Sequence, residues 1–242
     1  MKNKITVITV AFNNRAGLEK TLQSVVSQDY LDLEYIVIDG GSTDGSVEVI
    51  KQNETYITQW ISEKDSGIYN AMNKGISRAT GDWLCFLNGG DVFVNDQVLS
   101  QVADALSNTD AEIVYGNHIV EKDGEQIEVT AKEPCNLHHI WFCHQSAFVR
   151  LPLLQKFGFD ERHKFSADFK FFKQCYYDKR RFQHLPFPIV IFDKTGISNA
   201  ERIKGLWDNV AVIKSTDKGL VKWKFLLKLW FVIYWRKINK KK

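Results

Sequence analysis

Apolar residues along the first ninety positions fall into short β-branched runs separated by segments of helical period. I-T-V-I-T-V (5–10) is such a run, and it stops at A-F-N-N. Between 16 and 28, Leu18, Leu22, Val25 and Val26 recur at helical spacing. L-E-Y-I-V-I-D (33–39) is a second strand, followed by the loop G-G-S-T-D-G-S and a helix opening at Ser46. Y-I-T-Q-W-I-S (56–62) predicts a shorter third strand, 70–79 a helix closed by Gly81, and D-W-L-C-F-L a fourth strand. Strands alternating with helices predict an α/β fold, with a mostly parallel, Rossmann-like central sheet flanked by helices.

The strands end in a particular way. In such sheets ligands sit outside the carboxyl ends of the strands. Asn13, Asp39 and Asp91 all fall just past strand ends, so the pattern predicts that they gather on one rim. D-W-L-C-F-L-N-G-G-D (82–91) is the clearest case: an apolar run made for the core breaks into two glycines and presents a carboxylate. After residue 92 the pattern loosens. Val98–Leu106 reads as a helix, I-V-Y-G-N-H-I-V as a strand and E-K-D-G-E-Q as a hairpin turn, while 134–200 has weak periodicity.

Charge divides the chain. From Lys218 to Lys242 there are nine Lys or Arg and no acid, which leaves 23 basic against 29 acidic side chains on the rest. A body with a net charge of −6 does not suit nucleic acid, whereas the basic tail suits an anionic partner. The four cysteines show no C-x-x-C spacing, so neither a zinc site nor a disulfide framework is expected, and a reducing compartment is. The apolar run after Met1 is too short for a signal peptide, which predicts a cytoplasmic body.

Carboxylates crowded on one rim resist joint ionisation unless a cation or hydrogen-bond donors accompany them. Oxygen-only ligation suits Mg2+ or Mn2+, and ribose hydroxyls or base N–H groups are an alternative partner. Helix capping and turn stabilisation account equally for any single such Asp. The G-G-S-T-D-G-S loop has neither a G-x-G-x-x-G nor a Walker lysine, so no dinucleotide or P-loop site is predicted.

Four ordered motifs, V-I-T-V-A-F-N-N, V-I-D-G-G-S-T-D-G-S, S-E-K-D-S-G-I-Y-N-A-M-N-K-G and A-T-G-D-W-L-C-F-L-N-G-G-D, resemble those of the family 2 nucleotide-sugar glycosyltransferases. The resemblance covers roughly residues 4–200 and implies the GT-A fold. It divides the chain into a glycosyltransferase domain (1–214), with a nucleotide-sugar-binding half (1–92) and an acceptor-binding half (93–214), and a C-terminal appendage (215–242). It implies a donor site built from Ala11, Phe12, Asn14, Asp39, Asp65, Asn73 and Lys74. Asp91 matches the last acid of the D-x-D-type metal motif, with Asn88, Gly89 and Gly90 in place of neighbours that are often acidic. One carboxylate is then left for Mn2+ or Mg2+, the remaining sites falling to diphosphate and water. F-C-H-Q-S-A-F-V-R and S-A-D-F-K-F-F follow in the order of bacterial members. Asp168 matches the general base of inverting transfer, although Ala167 replaces an acid common there, and His144 and Gln145 are candidates for the acceptor. The implied reaction moves a hexose from a UDP-sugar to a glycan. A nucleotidyltransferase would need a basic, glycine-rich loop where A-F-N-N stands. A silent scaffold is disfavoured by the intact Asp91 and Asp168.

W-K-F-L-L-K-L-W-F-V-I-Y-W (223–235) is apolar but shorter than the roughly 20 residues of a membrane span. Trp, Tyr, Lys and Arg together suit the bilayer interface, yet Lys224 and Lys228 do not lie on one clean stripe. Docking on the protein itself is the competing reading. An interfacial tail would place the enzyme on the inner face of the cytoplasmic membrane beside a lipid-linked glycan acceptor, as the resemblance to enzymes of surface-polysaccharide assembly implies.

Overall fold

A computed structural model of the protein describes residues 3–122, 124–194 and 201–239. The first half follows the predicted alternation: β1 (Ile5–Ala11), α1 (Arg15–Val26), β2 (Leu33–Asp39), α2 (Ser46–Gln52), β3 (Gln59–Ser62), α3 (Ile68–Arg78) and β4 (Trp83–Phe86). The third strand is shorter than expected. A 3-10 turn at Glu54–Tyr56 takes up its first residues as the chain leaves α2, where Asn53 Nδ2 donates to Val49 O. There follow β5 (Val92–Phe93), α4 (Val98–Ser107), β6 (Ile113–Lys122) and β7 (Glu125–Val129). The second half continues with β8 (Ala147–Arg150), α5 (Leu151–Phe157), α6 (Ala167–Tyr177), β9 (Phe182–Phe192), α7 (Arg202–Thr216) and α8 (Gly219–Asn239). The expected hairpin turn includes Asp123, which lies outside the described residues, but the strands on either side pair, with Lys122 opposite Glu125.

The strands form one nine-stranded sheet in the order β3-β2-β1-β4-β8-β6-β9-β5, with β7 added on β6. β3, β2, β1 and β4 are parallel. β8 runs against β4 and β6, and β6 and β9 are parallel to each other. The fold is therefore the mixed, mostly parallel α/β sheet that the sequence predicts. Alternation along β1 shows why it is covered on both faces: Ile5 and Val7 join a core built with α1, α2 and α4, while Ile8 and Val10 join one built with α3, α5 and α6. Pro186 and Pro188 cannot donate to the ladder, and β9 accommodates them through register shifts against Gly116–His118.

A third, smaller cluster holds the C-terminal helices. Phe225, Leu226, Leu229 and Ile233 of α8 pack with Val210, Val212 and Ile213 of α7 and Phe169 of α6. Lys173 of α6 is fully buried beneath them, 3.1 Å from Asp217 and donating to Asn136 Oδ1 and Leu137 O. Removing one member of a buried pair leaves the other charge uncompensated. Lys173→Met is expected to lower stability by roughly 3–5 kcal/mol, a fall in Tm on the order of 10 °C. A thermal melt within ~2 °C of the wild type would show that the pair does not fasten α8 to α6.

Candidate active site

The register of the parallel strands sets Ala11 directly opposite Asp39, so the chain leaves β1 and β2 at the same level of the rim. Asp39 is buried, and its Oδ2 accepts from Gly41 N (3.0 Å), Ser42 N (2.9 Å) and Ser62 Oγ (2.6 Å). Its Oδ1 is buried with no partner. One carboxylate oxygen is thus fixed by the turn and the other makes no hydrogen bond within the protein. Beside it, Phe12 is 59% exposed, an unusual position for a large aromatic ring. Gly40 lies between Phe12 and Asp65: a Cβ there would stand 3.1 Å from the ring and 3.2 Å from Asp65 Oδ2. Ala11, Phe12, Asp39 and Asp65 therefore lie together at the strand ends. Lys74 stands beside them, paired with Asp65 and, at 2.8 Å, with Glu63. Burial pulls the Lys74 pKa down, but these carboxylates outweigh it and hold the ammonium above its ordinary value.

The loop after β4 is braced from α1. Thr21 Oγ1 donates to Asp91 O (2.7 Å) and accepts from Gly90 N (2.9 Å), and Asn14 Nδ2 donates to Gly89 O while its Oδ1 caps α1 at Gly17 N. Gly90 has φ 114°, and a Cβ there would collide with the Asp193 carboxylate, so only glycine fits. Asp91 is buried, its Oδ1 accepting from Asp193 N (2.9 Å) and its Oδ2 from Gln145 Nε2 (3.0 Å). Burial pushes its carboxyl up to about 6, against those hydrogen bonds and the nearby His144, and the Asp193 charge adds to the rise.

Asp168 stands in the first turn of α6. The loop before that helix is fixed by Asp208 of α7, which accepts from Phe165 N and Ser166 N and shares a 2.7 Å hydrogen bond with His163 Nδ1. Asp168 Oδ1 accepts from Tyr69 OH of α3 (2.7 Å), and Oδ2 lies 3.2 Å from His144 Nδ1. Burial alone would raise the Asp168 pKa. The hydrogen bonds of His144 and Tyr69 and the backbone N–H of Phe169 win, and the group is held below the ordinary carboxylate value. His144 Nε2 is buried with no partner. The 3-10 turn His144–Ser146 thus connects the two acids: Gln145 holds Asp91, and its neighbour His144 holds Asp168.

A cluster at the strand ends, a braced acidic loop and a second carboxylate linked to it through one turn coincide with a match to the profile described as Glycosyl transferase family 2, over residues 6–180. The chain belongs to this family. An uncharacterized glycosyltransferase of Mycobacterium tuberculosis is 45% identical over 104 residues, 43% of this chain and 40% of that protein's length. A PGL/p-HBAD biosynthesis glycosyltransferase of Mycobacterium bovis is 28% identical over 71% of this chain and 69% of its own. Among solved structures, a mannosyltransferase from Pyrobaculum calidifontis in complex with GDP-Man and Mn2+ superposes with a TM-score of 0.71 at 17% identity, over 96% of this chain and 70% of that one. S. aureus TarS 1-349 in complex with UDP-GlcNAc gives 0.70 at 16%, over 93% and 71%. These likenesses establish the GT-A fold.

In this family 2 chain several residues expected at the donor or acceptor also hold the protein's own elements together. Asn14 is engaged in the helix cap and the Gly89 carbonyl. Asn73 clamps the backbone of Phe159, accepting from its N and donating to its O at 2.8 Å each, so it ties α3 to the 158–161 loop. Gln145, expected at the acceptor, supports Asp91. Lys74 neutralises Asp65. Tyr69, Ser62, Thr21 and Asp193 were not anticipated. Asp193 alone had a sequence signal, since I-V-I-F-D ends an apolar run in an acid just as V-I-D does.

The residues at the Asp91 loop fit a divalent cation. Asn88 Oδ1 is buried without a partner, and the Asp193 carboxylate packs against Gly90 beside Asp91, so the loop offers oxygen atoms of the kind such a cation takes. No group of three or more His, Cys, Asp or Glu poised for a metal occurs among the described residues.

Proposed function

We propose that this protein is an inverting, metal-dependent glycosyltransferase that moves a hexose from a UDP-sugar to a lipid-linked glycan, in surface-polysaccharide assembly at the inner face of the cytoplasmic membrane. The observation that carries the transfer reading is the His144–Gln145 turn, which places the acid expected at the metal and the acid expected to act as base in one hydrogen-bonded site. The uridine is received by the cluster of Ala11, Phe12, Asp39 and Asp65, its ring against Phe12 and a ribose hydroxyl or base N–H donating to Asp39 Oδ1. Asp91, with Asn88 and Asp193 beside it, would hold Mn2+ or Mg2+, and the cation would supply charge stabilisation for the departing diphosphate. Asp168 takes the proton of the acceptor hydroxyl as that oxygen attacks the anomeric carbon. A carboxylate has about four acceptor positions, so Asp168 has room for this hydroxyl beside Tyr69 and His144.

Nucleotide release is expected from one donor in a panel of UDP-, GDP- and dTDP-sugars, falling at least ~100-fold with EDTA or in Asp91→Ala. Calorimetric binding without release would mean that the acceptor is required. A chain that binds no sugar nucleotide at all is not this enzyme.

A further inference from the structure

Helix α8 is apolar on two opposite sides, which is why its lysines make no clean stripe in the sequence. One side, at positions 225, 226, 229 and 233, is docked on α6 and α7. On the other, Trp223, Leu227, Trp230, Phe231, Tyr234 and Trp235 are each more than half exposed. They recur every three or four residues, so they form one continuous stripe along a helix of 21 residues, on the order of 30 Å long. Trp207 of α7 extends it, its ring 5.4 Å from that of Trp230. A water-facing stripe of this size marks a surface that something covers.

Charge decides what covers it. From Lys218 to Ile238 there are six Lys or Arg and no acid. A second copy pairing through this face would do so about a two-fold axis, setting those cations against their own duplicates. An anionic surface instead neutralises them, and Trp and Tyr with flanking Lys and Arg are the residues of the lipid headgroup level. By helical position Lys228 borders the stripe on one side and Lys237 on the other, while Lys224 falls between Phe231 and Trp235 near its N-terminal end, and from each a snorkelling ammonium reaches phosphate. Among the described residues no helix is long and apolar enough to cross a membrane. The helix therefore lies on the bilayer.

We propose that the outer face of α8 lies in the plane of an anionic lipid surface. The inner face joins that plane to the catalytic helix, because Phe169, the neighbour of Asp168, belongs to the same packed cluster. The protein thus carries its membrane-reading surface as part of the folded acceptor side, at a fixed orientation to the site. This deepens the lipid-linked acceptor proposed above and rests on that reading for its purpose, but lipid binding itself is measured without turnover.

The test floats the full chain with vesicles of phosphatidylcholine alone, and with vesicles in which half the lipid is phosphatidylglycerol. Binding is expected only with phosphatidylglycerol, weakening at high salt, with a blue shift of tryptophan fluorescence. The double variant Leu227→Glu/Phe231→Glu keeps the wild-type melting temperature, since both side chains are exposed, and loses binding at least ~tenfold. Donor hydrolysis in the absence of lipid stays at the wild-type rate in that variant, so a failure here is separable from a failure of the transferase reading. Wild-type protein that stays unbound with anionic vesicles overturns the proposal. So does a dimer, seen by sedimentation, that the double variant abolishes.

Discussion

Asparagine at position 168 is expected to leave the protein folded, leave donor affinity near the wild-type value and lower kcat by roughly 10²–10⁴, the range for loss of a positioned base. The side chain is nearly isosteric, and its carbonyl oxygen still accepts from Tyr69 OH. What is lost is the group that takes a proton. Because burial is overcome by His144 and Tyr69, the wild-type carboxylate is ionised throughout the neutral range. Activity should therefore be flat from pH 6 upward on this account, with any fall at low pH arising elsewhere. The measurement is single-turnover transfer to a soluble acceptor, with donor binding followed by calorimetry. Activity within tenfold of wild type would remove Asp168 from the base role. In that event His144→Gln becomes the decisive variant, since His144 offers a buried, unpartnered Nε2 and Asp168 would serve to orient it.

Asp91→Asn is expected to abolish transfer, by about 10³ or more, and at the same time to make the chain more stable at neutral pH. Ionised Asp91 is an internal liability: its carboxyl rises from 3.8 to about 6, mainly through burial. A raised acid pKa means that the folded chain holds a proton between about pH 4 and 6 that the unfolded chain has released. Wild-type stability therefore falls as pH rises through that window. The cost reaches ~3 kcal/mol above it. Asparagine carries no charge at any pH and keeps an acceptor for Asp193 N. The variant's advantage should be full at pH 7.5, several degrees in Tm, and vanish near pH 4. Melts are made with EDTA, since a bound cation offsets the same charge. A variant that melts below the wild type at pH 7.5 would show that the Gln145 hydrogen bond outweighs the buried charge.

The legible and illegible parts of the molecule separate for physical reasons. Asp39 and Asp91 could be read because each closes an apolar run, and a parallel sheet gathers such run ends on one rim. Asp193 carries the same signal, but Pro186 and Pro188 stand in its strand and argue against any strand there; the bulge at Gly116–His118 that tolerates them is a property of the partner. Helix α7 was not foreseen because R-I-K-G-L-W-D-N buries few side chains in its first half and so shows weak period. The support residues Thr21, Ser62 and Tyr69 are polar groups whose partners lie 23 to 99 positions away, a distance that no local pattern encodes. The fastening contacts of Asn14 to Gly89 and of Asn73 to Phe159 are equally long-range, 75 and 86 positions apart.

The position of Asp208 bears on how much chain a transferase of this type needs. The family profile ends at residue 180, and trimming to that stretch would look economical in an engineered enzyme or a transplanted module. Yet three groups just before α6, Phe165 N, Ser166 N and the His163 ring, look to Asp208 for an acceptor. The smallest portable unit therefore runs at least through α7, and a graft that stops sooner would carry Asp168 on a loop whose footing was left behind.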